Sequence, residues 1–225
     1  MYESACGIGL NLLMTLEILQ ELQNNDSDAD IGFGTGITVY GNEYVKESVE
    51  RTDLILGEGV ILVGNRRGVI CTGDLANLSH VPPNTFDLVY TGYITPIQDP
   101  LNIDPFEDMG KYDEICKSLQ NETKGDWMGQ KMYSFMVKRQ QDWYRKWVGE
   151  MARIAKPGAP VIVEQVSLSY CTNRFDWDGV DKNFWFEAAA ENSYNWNVDP
   201  NSIQMMRDTL HFNRYHVFML KNEAY

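Results

Sequence analysis

The stretch that most constrains this chain lies at its start: Met1-Tyr-Glu-Ser-Ala-Cys-Gly-Ile-Gly-Leu-Asn-Leu-Leu-Met-Thr-Leu-Glu-Ile-Leu-Gln-Glu21. A short apolar start reaches Glu3, a small-residue turn runs from Ser4 to Gly9, and apolar residues follow with helical spacing at Leu10, Leu13, Met14, Leu16 and Ile18 or Leu19. That pattern reads as strand, tight turn, helix. Small residues at such a turn let a ligand approach the backbone closely, and the helix N-terminus offers unpaired N–H groups to an anionic group. The turn is therefore expected to hold a cofactor, with Glu3, Ala5, Cys6, Gly7 and Gly9 around it.

What such a turn can serve is limited by the rest of the chain. A length of 225 residues, 44% of them hydrophobic, suits one α/β domain with a sizeable core. The formal net charge of -13 disfavours a phosphate-backbone partner, so no nucleic acid is expected. The cysteines Cys6, Cys71, Cys116 and Cys171 are far apart and form no CxxC pair, which suggests neither a zinc site nor a disulfide framework and reads as reduced thiols in the cytoplasm. No signal-peptide pattern is present and no apolar run approaches the roughly 18 residues of a membrane span, so no membrane partner is expected. The sequons at Asn77 and Asn121 then read as chance.

Further along, Gln23 to Asp30 is a polar surface loop, and Gly32-Phe-Gly-Thr-Gly leads into the β-branched run Ile37-Thr-Val-Tyr instead of a helix, the wrong context for a dinucleotide fingerprint. Ile37 to Glu43 is a strand that ends on a carboxylate. In nucleotide-binding α/β folds such a carboxylate accepts both ribose hydroxyls, which makes Glu43 the ribose candidate; the plainer reading is a solvated glutamate at a helix start. After a glycine-rich bend from Gly57 to Gly68, Val69-Ile-Cys-Thr-Gly-Asp74 gives a third strand, and Phe86-Asp-Leu-Val-Tyr90 a fourth. Trp143 to Ala155 has helical spacing, Lys156-Pro-Gly stops it, and Val161-Ile-Val-Glu164 begins a fifth strand. Two strands joined near Asn213 close the chain. Alternating strands and helices argue for a mostly parallel sheet covered on both faces, with ligands at the carboxyl ends of the strands.

Glu3-Ser-Ala-Cys-Gly-Ile-Gly resembles the acidic-x-Gly-x-Gly-x-Gly motif of class I S-adenosylmethionine-dependent methyltransferases, with Ala5 where the first glycine usually stands. The strand ending in Gly73-Asp74, the phrase Phe86-Asp-Leu-Val after a proline-containing turn, and the helix, Lys-Pro-Gly, strand sequence resemble further elements of that family in the same order, from Glu3 to about Gln165. The resemblance implies a Rossmann-like, doubly wound, seven-stranded, mostly parallel sheet with a C-terminal antiparallel hairpin, and S-adenosylmethionine as cofactor. It implies that Asp74 accepts the adenine amino group, that the Leu75 N–H meets a ring nitrogen, and that Tyr90 stands beside the cofactor. A single domain over 1–225 is expected, with 171–200 as an acceptor-side insertion or lid. Only Met1 and Tyr2 precede Glu3, so either the first strand is unusually short or cap helices common in the family, and part of the acceptor pocket with them, are not in this chain.

Methyl transfer from a sulfonium asks the protein for alignment, desolvation and, for some acceptors, a base. Acceptor contacts are expected from the loops after the fourth and fifth strands, Tyr90 to Asp99 and Glu164 to Tyr170, and from Cys171 to Trp196. Glu164 and Tyr93 are the catalytic candidates. The fourth-strand loop lacks the Asn/Asp-Pro-Pro-aromatic run of enzymes that methylate DNA bases or glutamine amides, so a small-molecule acceptor fits, its accepting atom N, O or S. The run Asn173 to Phe186 is aromatic and acidic: either its rings pack on the core, or they and the carboxylates favour a cation, or Arg174 holds a carboxylate. His80, His211 and His216 are base candidates by pKa, each with a structural alternative. Tyr133, Phe135, Trp143 and Trp147 have the spacing of a buried helix face. A homodimer is the oligomer left open, and no His and carboxylate spacing supports a metal.

Two other functions share these residues: an NAD(P)-dependent oxidoreductase using the same ribose carboxylate, and a non-catalytic relative acting as a binding module. Glu43→Ala and Asp74→Ala are each expected to weaken S-adenosylmethionine binding without unfolding the protein, as measured by calorimetry alongside circular dichroism. Unchanged affinity in both variants would refute the pocket assignment.

Overall fold

The structure, a computed structural model, describes residues 1–6, 38–43, 60–63, 66–91, 127–166, 182–191, 196–207 and 214–223, with residues 9, 11, 12, 14, 15, 17, 18, 21, 46, 49 and 50. Its centre is one eight-stranded sheet. In chain order the strands are β1 (Tyr2–Ser4), β2 (Thr38–Glu43), β3 (Val60–Val63), β4 (Arg66–Thr72), β5 (Val89–Thr91), β6 (Pro160–Val166), β7 (Gln204–Arg207) and β8 (Arg214–Leu220). Across the sheet they lie β3-β4-β2-β1-β5-β6-β8-β7. Strands β4, β2, β1, β5 and β6 run parallel, and β8 is inserted antiparallel between β6 and β7.

Seven of these strands give the expected doubly wound sheet with its C-terminal hairpin. The eighth, β3, corrects the reading of 57–68 as a bend, because Val60 to Val63 pairs antiparallel with Arg66 to Val69. Its apolar, largely β-branched sequence favours a strand, and only two residues, Gly64 and Asn65, separate Val63 from Arg66, a length suited to a hairpin. Glycine content had hidden that run.

The chain winds from β1 out to β2 and β4, then returns to β5 and β6 on the other side. The switch point therefore lies between β1 and β5, where the strand order reverses. β1 is the innermost strand, and Tyr2, Glu3 and Ser4 are all buried, as a strand covered on both faces must be. One face is covered by α1 (Trp127–Ile154), longer than the Trp143–Ala155 helix expected from spacing. Its buried positions Tyr144, Trp147, Val148, Met151, Ala152 and Ile154 repeat at helical intervals and meet Tyr2, Val89, Val161 and Val217 in the main core. Trp143 packs against this core partly buried; the side chains of Tyr133 and Phe135 lie outside the described residues. Gly158, at φ +76, takes the left-handed turn that carries the chain from α1 into β6.

α2 (Lys182–Ala190) adds Phe184, Trp185 and Ala188 to the same core, and Trp196 joins them. The rings of Phe184 and Trp185 thus take the core-packing role. The face of Phe184 is already covered by the Arg145 guanidinium, 4.9 Å from the ring centroid. Residues 171–181, Arg174 included, lie outside the described residues. The other sheet face carries a smaller cluster of Cys6, Leu12, Val39 and Ile70 beneath the helical residues that follow the first turn. Among the described residues no helix is long and apolar enough to cross a membrane. Cys6 and Cys71 form no disulfide.

Gly41 is what lets β2 and the first turn close on each other. A β-carbon there would stand 2.7 Å from both Cys6 Sγ and Leu12 Cδ1, and these two side chains are themselves buried and cannot swing aside. Gly41→Ala is expected to lower unfolding stability by about 1–3 kcal/mol through overpacking. Urea denaturation checks this; an unchanged midpoint would mean the turn has room to move.

Candidate active site at the switch point

Register places the candidate side chains on one face. Glu3 pairs with Gly41 and with Tyr90, and Tyr90 with Ile162, so Glu3 and Tyr90 are level on the face that carries the smaller cluster. Glu43 and Glu164 lie two residues beyond Gly41 and Ile162 on their strands, hence on the same face and nearer the carboxyl edge. The first turn leaves β1 between them. Glu43 and Glu164 are three strand spacings apart, about 14 Å. The result is a crescent of three largely buried carboxyl groups around a turn.

Glu3 braces that turn. Its Oε1 accepts a hydrogen bond from Asn11 Nδ2 at 3.0 Å and its Oε2 one from the Tyr90 hydroxyl at 3.4 Å, tying the helical stretch to β5 through the central strand. Burial raises its pKa from 4.5 to about 7, against the two hydrogen bonds that favour the carboxylate; the charge of Glu43 raises it further. Burial, with Glu3 and Glu43 nearby, pushes the Cys6 thiol up as well, so this cysteine is a packing residue and not a nucleophile. Tyr90 is likewise held protonated, by burial first and by Glu3 next.

The turn has the backbone the sequence required. Ala5 sits at φ +56 and Gly9 at φ +80, both left-handed, and the Gly9 N–H donates to the Cys6 carbonyl at 2.8 Å. Ala5 therefore takes the conformation for which glycine is the usual residue. Gly7 and Tyr93 lie outside the described residues.

On the far side of β2, the Gly73 N–H donates to the Glu43 carbonyl at 3.0 Å, which stitches the loop after β4 to the end of β2. Asp74 is exposed, and its Oδ1 accepts from the Ala76 N–H at 2.9 Å, so one oxygen caps its own turn. Leu75 places its side chain in the main core. Asn42 is a residue that sequence reasoning missed. Its amide is fully buried with neither end hydrogen-bonded, and Nδ2 would be 3.0 Å from a β-carbon on Gly73. An asparagine in the middle of a strand-forming run was the available signal.

At the other end of the crescent, the Glu164 N–H donates to Thr91 Oγ1 at 2.7 Å, fixing the top of β6 against β5. His216 of β8 stands directly opposite Glu164 in the antiparallel ladder and on the same face. Sequence had left its direction open. His80 is elsewhere, exposed and 3.3 Å from the Tyr40 hydroxyl, and His211 lies outside the described residues. No group of three or more His, Cys, Asp or Glu among the described residues is placed to hold a metal ion.

The sequence matches no family model and no curated protein. Solved structures match the fold. The methyltransferase domain of citrinin polyketide synthase aligns at TM-score 0.51 and 7% identity, over 99% of this chain and 46% of that one. The S-adenosylmethionine-dependent methyltransferase SibL aligns at TM-score 0.50 and 9% identity, over 99% of this chain and 50% of its own. A methyltransferase from Aquifex aeolicus aligns at 0.45 and 10% identity, over 97% and 80%. This chain thus spans half or less of the first two. Its sheet order and the first two of these likenesses together define the class I S-adenosylmethionine-dependent methyltransferase fold. The residues present fit that class's cofactor in two respects: a carboxylate ends β2, and a left-handed turn of small residues follows β1.

The raised Glu3 pKa carries a sign. Folding favours the protonated carboxyl, so the stability this group contributes is full below 4.5 and is lost as pH rises to about 7. Glu3→Gln is spared that loss. Its stability relative to wild type is expected to climb across this window by an amount on the order of 3 kcal/mol, read from denaturation at a series of pH values. Parallel curves would mean that Glu3 does not titrate there.

Proposed function

We propose that this protein is an S-adenosylmethionine-dependent methyltransferase acting on a small-molecule acceptor. The observation that carries the reading is the crescent: Glu43 at the end of β2 and the left-handed turn after β1, on one face at the switch point. The cofactor, when bound, supplies an electrophilic methyl group on a sulfonium. Glu43 accepts the two ribose hydroxyls, the Ser4–Gly9 turn admits the ligand to the backbone, and Asp74 offers its remaining carboxylate oxygen to the adenine amino group with the Leu75 N–H beside it. Tyr90, tied to Glu3, walls the middle of the cleft. The span from Glu43 to Glu164 would suit a nucleoside extended by an amino-acid arm.

At the β6 end Glu164, with His216 opposite, takes the acceptor's proton or holds a cationic acceptor in place. Small acceptors are favoured by the acidic balance of the chain and by the absence of the Asn/Asp-Pro-Pro-aromatic run after β5. An anionic crescent also attracts a cationic cofactor in preference to a nicotinamide dinucleotide with its pyrophosphate.

Calorimetric titration with S-adenosylmethionine and S-adenosylhomocysteine tests the reading. Micromolar binding, about -8 kcal/mol, is expected from both. A folded chain that gives no heat with either ligand overturns the proposal, and heat with a nicotinamide dinucleotide alone would replace it with an oxidoreductase. Once amines, thiols and hydroxy acids have been screened for turnover, Glu164→Gln should leave S-adenosylhomocysteine affinity unchanged and slow turnover about 10²–10⁴-fold.

A further inference from the structure

At the opposite pole of the sheet, where β6 begins and β8 ends, a cleft of about 250 Å³ lies between the loop before β5, the end of α1 and the chain after β8. Its polar lining is Asn84, Arg153, Asn197, Lys221 and Asn222, with prolines at its edges. Lys221 is only 7% exposed, and among the described residues no carboxylate pairs with it. Lysines buried to this degree are nearly always paired.

Arg153, the other cation, is already committed. Its Nε and one Nη donate to the two oxygens of Glu150 at 2.9 Å each, and its Nη atoms also donate to the carbonyls of Val81 and Leu78. Four of its roughly five N–H donors are used, and Glu150 balances its charge. The uncompensated positive charge of the cleft is therefore that of Lys221, and burial together with Arg153 lowers its pKa. The walls offer amide donors. Asn222 Nδ2 donates to Asn197 Oδ1 at 3.0 Å, which orients the Asn197 amide nitrogen away from that contact. Asn84 and Asn197 are two of the three non-glycine residues held at positive φ among the described ones, at +55 and +48. Glu223 stands near Gly158, its Oε1 3.8 Å from where a β-carbon would be, and is the carboxylate nearest in sequence to Lys221.

We propose that this cleft is an anion site, separate from the crescent, in which Lys221 and the asparagine amides hold a phosphate group, free or borne by a small molecule. The lining supplies one ammonium and the side-chain amides of three asparagines, all able to donate hydrogen bonds to an oxyanion.

The test titrates the full chain with inorganic phosphate, glycerol 3-phosphate and acetate at constant ionic strength, following melting temperature and backbone amide shifts in nuclear magnetic resonance spectra. Phosphate is expected to raise the melting temperature and move the amides of residues 84, 197, 221 and 222, with acetate doing neither. Tighter binding of glycerol 3-phosphate than of phosphate assigns the site to a phosphorylated small molecule; the reverse assigns it to the free ion. Lys221→Met should weaken binding about tenfold to a hundredfold, Lys221→Arg should restore part of it, and Glu223→Gln should tighten it. Equal phosphate responses in wild type and Lys221→Met, shifts scattered over the surface, or no response at all would overturn the proposal. None of these readings depends on the cofactor crescent.

Discussion

The buried hydrogen bond from Trp147 Nε1 to Ser4 Oγ, 2.7 Å long, holds the strand on which the rest of the site depends. β1 has only three residues, all buried, and must satisfy polar groups on both of its faces with nothing solvent can supply. On the α1 face Ser4 takes the indole proton of Trp147; on the other face Glu3 takes protons from Asn11 and Tyr90. Ser4 and Glu3 thereby tie different elements to the sheet. The turn that follows is positioned by α1 from below and by the helical stretch from above, which is why a first strand this short can fix its conformation.

Polar residues at the innermost strand cost desolvation, and the crescent concentrates that cost. Glu3 is driven toward its protonated form by burial, and Glu43 adds repulsion across one strand spacing. A site that stores unfavourable negative charge gains most from a ligand that carries positive charge, since such a ligand relieves the repulsion as it binds. Under the proposed function, this is the electrostatic reason to favour a sulfonium cofactor over a dinucleotide with its pyrophosphate.

Much of this was legible from the sequence, for physical reasons that differ residue by residue. The first turn and the Glu43 strand end were readable because small residues and a terminal carboxylate are local signals. The order of strands followed from alternation of periods. β3 was hidden because its apolar run is bracketed by glycines and read as a bend. Whether Asp74 faces a ligand or its own backbone depends on turn geometry, and the structure gives one oxygen to Ala76. The meeting of Glu164 with His216 could not be read at all, since it arises from a hairpin register that joins residues far apart in sequence. The same holds for Asn42, whose unpaired amide becomes visible only when Gly73 is seen to close over it.

Ala5 brings these constraints together. A left-handed alanine costs roughly 1–2 kcal/mol relative to its preferred conformations, and the chain could avoid the cost with glycine. It holds the conformation because its neighbours leave no other: the Cys6 N–H donates to the Asn42 carbonyl at 3.2 Å, and the Cys6 side chain fills the space over Gly41. With Cys6 locked to β2 and Ser4 locked to α1, the residue between them must bridge two fixed points. Glycine would satisfy the same geometry while giving the unfolded chain more freedom to lose. Alanine therefore trades local strain for an unfolded chain with fewer alternative conformations, and if the turn binds as proposed, a turn already shaped loses less order on binding.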